Sequence, residues 1–449
     1  MAGALLVPLS PALVAQTPEL SPGGSGSAGT HTEPPELSLD EALRTALDGN
    51  PVLELARTDL ALAENQVSLG AVGFLPRIQV GASRTTTLTN SEQTFIEQDP
   101  RRLRNAETQQ TGGQASLTWR VFDGLDRFAE LDRYRAQERR EAYGLEDIRD
   151  TVLTGVVLGY HDLARRQQQV RILEEAVELS EERLRLAELR RELGSASDLE
   201  VRQARVDRNA DRAAVIRERT DLTQARVDFN RLLGRSPDRE FQVDDDIRVD
   251  RGLSLEELRE GARSANPEIL GAMASREAAD HGRREARSGW FPSVDLQAGV
   301  DYTNLTSESG FQQALEGHDF FVGLSLSFDV FDGFERNRRG EEARLRVRGA
   351  DAALRDAELR VDAEVETHFA RYRDELELVA LEEENLEIAR QNVETALEQF
   401  EVGTISSIEL REVQEALIQA ETRLLEAEFG ARAAEAELLR LTGQVEPDR

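Results

Sequence analysis

The chain has 449 residues, a formal net charge of −31 from 86 acidic against 55 basic residues, no cysteine and no lysine, so every basic residue is Arg. So acidic a chain excludes a basic face for nucleic acid, and the missing cysteine excludes disulfides, thiolate metal sites and a lipidated N-terminal Cys. No apolar run approaches the length of a transmembrane helix, so any membrane crossing falls to strands.

Residues 1–16 are mostly apolar and end on small residues, like the latter part of a secretory signal, although no basic segment precedes them. Residues 17–36, rich in Gly, Ser, Thr and Pro, read as a flexible linker. Order is expected from Leu37. LSLDEALRTALDGNP (37–51) returns as LSLEELREGARSANP (253–267), with Ser38 and Ser254 as N-caps and Glu41 and Glu257 placed to complete a capping box. Asn50–Pro51 and Asn266–Pro267 end one short helix and open another, expected to run to about Val72 and Gly289.

The period then changes from that of a helix to that of a strand. Ile78, Val80 and Ala82 alternate with Gln79, Gly81 and Ser83, and Val294 to Tyr302 alternate with Asp295 to Thr303. These predict strands at about 76–88 and 292–304. After polar loops come returning strands at about 114–122 and 319–331. ASLTWRVFDGLDR (115–127) matches LSLSFDVFDGFER (324–336) at seven of thirteen positions.

Each Phe-Asp-Gly opens a long helix, 124–193 and 333–402. Leu145, Ile148, Val152, Val156, Tyr160 and Leu163 mark one apolar face, and 209 residues later Leu354, Ala357, Val361, Val365, Phe369 and Tyr372 mark its counterpart. Seventy helical residues reach about 105 Å. Gly194 and Gly403 end these rods, and returning helices lead to Gly234 and Gly443. The domains are thus a leader and linker (1–36), a first repeat (37–234), an acidic linker (235–252), a second repeat (253–443) and a short tail (444–449).

Four amphipathic strands cannot close a barrel, and open edges cannot face lipid. If the strands span a membrane, several copies share one barrel, and three copies supply twelve strands. Trp119, Trp290, Phe291, Tyr302, Phe320, Phe321 and Phe328 gather around the strands, which suits an interfacial belt and equally a soluble core. No catalytic set is present: His31, His161, His281, His318 and His368 lack metal-ligand spacing, and no glycine-rich phosphate loop calls for a cofactor. No enzyme, metal or cofactor is expected.

The duplicated L-S-L-(D/E)-E…N-P opening, the strand starts at Pro76 and Pro292, the Phe-Asp-Gly exits and the turns at Gly194 and Gly403 together resemble the TolC family of outer-membrane efflux proteins. The resemblance covers roughly 37–443. It implies a mainly α fold with a β-barrel portion: a homotrimer with a twelve-stranded barrel in outer-membrane lipid, and a periplasmic α-helical barrel with the linker in an equatorial belt. It implies a channel of a tripartite efflux or type I secretion system of a Gram-negative cell. An inner-membrane transporter and a periplasmic adaptor would open it. The adaptor would dock at the tip, on Leu193, Gly194 and Ser195 and on Val402, Gly403, Thr404 and Ile405, the second set resembling the family's Val-Gly-Leu-type contact motif. Carboxylates ring the constriction in many members, which places Glu200, Glu409 and Glu412 at the periplasmic gate. There, mutual repulsion on a threefold axis would raise their pKa values. Phe400 and Ile405 stand where some members carry a polar Tyr and Arg latch, so closure would rest on packing. The competing reading is a soluble or peripheral coiled-coil adaptor or scaffold without a pore.

Overall fold

The computed structural model describes residues 35–444 apart from 95, 97–99 and 309–312, so the signal-like leader and most of the expected tail lie outside the described residues. The order is β1 (Glu36–Leu37), α1 (Leu39–Gly49), α2 (Pro51–Gln66), β2 (Arg77–Gln93), β3 (Arg101–Phe122), α3 (Asp126–Glu192) and α4 (Asp198–Leu232). The second half runs β4 (Gln242–Val243), α5 (Leu255–Ala265), α6 (Pro267–Ser288), β5 (Ser293–Ser307), β6 (Ala314–Ser327), α7 (Glu335–Glu401) and α8 (Ser407–Leu441). Among the described residues no helix is long and apolar enough to cross a membrane.

Each repeat closes on itself through its Asn-Pro pair. Asn50 ends α1 and caps α2, its Oδ1 accepting from Val52 and Leu53 N–H, while its Nδ2 donates to the Leu232 carbonyl at 2.7 Å. Asn266 repeats this, accepting from Glu268 and Ile269 and donating to the Leu441 carbonyl at 3.0 Å. The start of each repeat is thereby tied to the end of its returning helix. Pro at the first helical position supports the same start, because its missing N–H is one the helix cannot use. The serine caps divide. Ser38 accepts from Glu41 N–H, but Ser254 makes no cap hydrogen bond, its backbone lying at φ −105°, ψ 127° against −75°, 157° at Ser38. The α2 helix also stops at Gln66 rather than near Val72, because 67–73 form turns that end on Gly73 at φ +73°.

The two hairpins join into one antiparallel sheet in the order β2-β3-β5-β6, leaving β2 and β6 as open edges. Register lines up one apolar face, in rows such as Ile78, Leu117, Ala298 and Val322, then Val80, Ala115, Val300 and Phe320. Ile78, Val80, Phe320 and Val322 are 65–78% exposed on it in the single chain. The strands run further than apolar alternation suggests. The β3 strand starts at Arg101, thirteen residues before 114, since the Thr- and Gln-rich segments 85–93 and 101–111 pair across β2 and β3. Thr favours strands without being apolar. The β6 strand starts at Ala314 and stops at Ser327, short of 331.

At each strand–helix junction Gly and the next residue are both left-handed: Gly124 and Leu125 at φ +71°, Gly333 and Phe334 at φ +68°. A non-Gly residue there costs about 1–2 kcal/mol. Arg127 holds the first junction, donating to Asp123 at 2.6 Å and to the Val121 and Gly73 carbonyls, with its guanidinium over Phe74. Arg336 repeats the clamp on Asp332, with Trp290 and Phe328 as its rings.

The 67-residue α3 and α7 helices each extend about 100 Å. One core gathers the middle of α3, the end of α4, α1 and the linker; a second gathers α5, α7 and the end of α8. The linker is held rather than free: β4 pairs in parallel with β1, Gln167 exchanges two hydrogen bonds with Val243, and Tyr160 Oη accepts from Asp244 N–H.

Candidate functional site

Two helical hairpins, α3–α4 and α7–α8, end side by side in turns of one construction. Gly194 (φ +77°) follows α3, and Ser195 N–H returns to the Arg190 carbonyl at 2.8 Å. Gly403 (φ +79°) follows α7, and Thr404 N–H returns to the Gln399 carbonyl at 2.9 Å. This six-to-one bond satisfies a carbonyl the helix leaves open, and the left-handed residue it needs makes glycine the natural occupant. A Cβ at either glycine would meet nothing within 4 Å, so conformation and not space is the constraint. The hydroxyls of Ser195 and Thr404 add second bonds to the same carbonyls.

The helices leaving the turns are capped by Ser197 and Ser406, which accept from Glu200 and Glu409 N–H. Only the second forms the full box, with the Glu409 carboxylate accepting from Ser406 N–H at 2.7 Å. That bond holds Glu409 below the usual carboxylate range within the single chain. Glu200 and Glu412 line one cleft of about 890 Å³ between the first turns of α4 and α8, together with Arg190, Leu199, Ile408 and Arg411. Glu409 is exposed and does not line it. The three predicted gate acids are therefore split into two settings within one chain.

Phe400 is fully buried in a cluster with Ala396 and Leu410, against which Leu186, Leu397, Ile405 and Val413 pack. Arg190 lies over the Phe400 ring at 5.0 Å. Phe400 and Ile405 thus seal the second turn by packing, and Leu186 and Arg190 tie that seal to the first repeat. Leu193 and Val402, at the apices, are 75% and 76% exposed.

Above the turns lies a polar layer that spacing alone did not reveal. Arg411 on α8 donates to both oxygens of Asp211 on α4, at 2.7 and 2.8 Å, and to Glu415 at 2.7 Å. Arg183 on α3, 1% exposed, pairs with Asp207. Burial lowers the Arg183 pKa, and the paired carboxylates raise that of Arg411. Arg411 and Asp211 stand 200 residues apart in different repeats, and no local pattern links them.

A family model described as outer membrane efflux protein matches residues 42–235 and 258–444, the two repeats. Protein CyaE of Bordetella pertussis is 28% identical over 345 residues, covering 75% of this chain and 69% of its own length. Outer membrane protein TolC of Escherichia coli is 19% identical over 407 residues, covering 87% of this chain and 79% of its own length. The crystal structure of the Campylobacter jejuni CmeC outer membrane channel superposes with a TM-score of 0.76 at 15% identity, over 92% of this chain and 87% of that one.

Proposed function

The chain belongs to the outer membrane efflux protein family, and from that premise we propose how its own residues make and close a conduit across the Gram-negative outer membrane. Members are efflux and secretion channels that work as trimers with periplasmic adaptors and inner-membrane pumps. For this chain the carrying observation is the four-stranded sheet with one exposed apolar face and two open edges, β2 and β6. Such edges are excluded from lipid, so β6 of one copy pairs with β2 of the next, and three copies close twelve strands. The helices continue below as a tube. A pore-free adaptor or scaffold does not account for the sheet.

At the far end, the turns 193–195 and 402–405 are the adaptor-contact surface, and Glu200, Glu409 and Glu412 supply negative charge at the periplasmic gate. Nothing is made or broken; selection is by size and charge. Detergent-extracted protein should image as a threefold cylinder about 130 Å long, the sum of barrel and tube. A slender particle without a barrel, or one needing no detergent, refutes the channel assembly. In planar bilayers under a salt gradient, Glu409→Ala with Glu412→Ala should lower cation preference; an unchanged reversal potential refutes the gate assignment.

A further inference from the structure

The linker between the repeats is fastened to both long helices. On α3, Tyr160 Oη accepts from Asp244 N–H, Gln167 exchanges hydrogen bonds with Val243, and Gln168 donates to the Asp245 carbonyl. On α7, Tyr372 Oη donates to the Asp250 carbonyl, and Arg251 stands 3.6 Å from Glu383. Between these ends Ile247 packs on the first core and Val249 on the second. The linker is a strap whose apolar residues seat in both repeats.

Its charge works against that seating. Residues 244–250 hold four Asp and one Arg. The α8 helix turns Glu428 and Glu435 towards them, seven residues apart and therefore on one face. Most of these groups are balanced: Glu435 by Arg432 at 2.9 Å, Asp246 by Arg248 at 2.6 Å, Glu383 by Arg251. Glu428 is not. It is half-buried and has no hydrogen bond or ion pair among the described residues. Asp246 and Arg251 of the strap and Glu383 of α7 act on it directly. It lines a cleft of about 260 Å³ with Arg171 and Glu175 of α3, Arg390 of α7 and Glu421 of its own helix. Burial, then Glu383 and Asp246, push the Glu428 carboxyl up against the opposing pull of Arg251. Among the described residues no group of side chains is placed to hold a metal ion, which leaves the proton as the counter-charge.

We propose that the strap is a proton-operated clasp with Glu428 as its catch. With Glu428 neutral, nothing in the cleft opposes the seating of Ile247 and Val249, and the strap holds α3 to α7 across α8. With Glu428 ionised, its charge meets those of Asp246 and Glu383 in one half-buried space and lifts the middle of the strap, 244–249, from the two cores. A carboxyl pushed up by the folded state favours that state while it keeps its proton, so acid tightens the clasp and it slackens as pH rises through the Glu428 titration. The device is built from residues of one chain, at the level of the linker and away from the turns, and it stands apart from the conduit reading.

The test is hydrogen exchange by mass spectrometry on the full-length protein in detergent, between about pH 5 and pH 8, corrected for the intrinsic pH dependence of exchange. Peptides spanning 241–253 should lose about three- to tenfold in protection across that range, the effect of one or two partly exposed charge contacts. His161, held near 4, stays neutral throughout and does not contribute. Glu428→Gln should keep the strap protected at both ends of the range and remove the step. Asp246→Asn should shrink the step by itself, so the test survives a Glu428 variant that fails to assemble. Glu421→Gln changes a carboxylate already paired with Arg390 and should leave the step in place. A parent without a step, or a full step in Glu428→Gln, overturns the proposal. Protection restored at pH 8 by millimolar Mg²⁺, and lost again in Glu428→Gln, would make the cleft a cation site and overturn the proton reading. Exchange reports the strap and not conduction, so a conducting protein without the step refutes the clasp alone, and a step in a protein that does not conduct refutes the conduit alone.

Discussion

Replacing Arg411 by Met keeps the length of the side chain and removes the guanidinium that joins the two repeats above the tip. Asp211, with a side chain 10% exposed, loses two charge-assisted hydrogen bonds, and Glu415 loses one. Breaking a fully buried pair costs about 3–5 kcal/mol because one charge is left without a partner. Arg411 retains 19% side-chain exposure, so water relieves part of that, and we expect about 2–3 kcal/mol. The loss is confined to the ends of two hairpins, which open separately from the cores around α1 and α5. Hydrogen exchange should therefore accelerate about 30- to 150-fold in peptides spanning 198–215 and 405–420. The thermal midpoint of the trimer should barely move. Single-channel conductance in planar bilayers should rise, because α4 and α8 are no longer held at that level. Arg411→Met with Asp211→Leu removes the stranded charge as well as its partner and should restore exchange to within about 1 kcal/mol of the parent. If the double variant exchanges as fast as the single one, or the single one matches the parent, the Arg411–Asp211 pair does not hold the repeats together.

Two glycines separate conformational strain from lack of space. Gly234→Ala puts a Cβ about 2.0 Å from the Gly49 carbonyl oxygen at φ +69° and should abolish folded trimer in the membrane fraction, whereas Gly403→Ala meets nothing and should cost only about 1–2 kcal/mol. Comparable yields for the two would refute the close approach of 234 to 49. Two buried groups on α3 predict opposed pH slopes. Burial, against the pull of Arg149, lifts the Asp150 carboxyl to about 6, so the folded state holds its proton between about 3.8 and 6 and stability is lost as pH rises through that window. Asp150→Asn should gain about 2–3 kcal/mol at pH 7.5 and almost nothing below pH 4, by chemical denaturation. Burial and then Arg432 lower His161 to about 4, so stability is lost as pH falls from about 6.5 to 4. His161→Gln, which keeps an acceptor for Arg432, should flatten that acid loss; an unchanged profile would show that His161 is not held neutral.

The duplicated plan was legible because its signals are local. Helix period, the Asn-Pro breaks, the Phe-Asp-Gly exits and the turn glycines each act within a few residues, and a constant offset of 209 from Gly124 to Gly403 links the copies. The structure adds what local signals cannot carry. Asn50 and Asn266 read as helix breaks, yet their amides also reach carbonyls 182 and 175 residues away. The polar half of the β2–β3 hairpin reads as loop because its strands lack an apolar face, although Thr and Gln pair there without interruption as far as Thr89. The tip turns were visible from Gly194 and Gly403, but the Arg411–Asp211 link and the burial of Arg183 were not. A charged residue on a helix in an acidic, arginine-rich chain looks the same whether solvated or buried.

The two repeats also show which features the fold needs twice. The Asn knots, the Arg127 and Arg336 clamps and the six-to-one glycine turns recur with nearly the same partners, because each fixes a backbone path that both copies must follow. The side chains around those paths are free to differ, and they differ most at the tips, where charge balances near the first glycine and accumulates near the second. Stability alone gives no reason for that accumulation, since Glu398 and Glu401 work against the dipole of the helix that carries them. A closed tip gives no reason either: Phe400 is already sealed by packing, and Arg411 is already paired. Among the described residues of one chain Glu398 and Glu401 form no ion pair, so the second turn keeps the acidic charge that Arg190 and Arg191 balance in the last turn of α3.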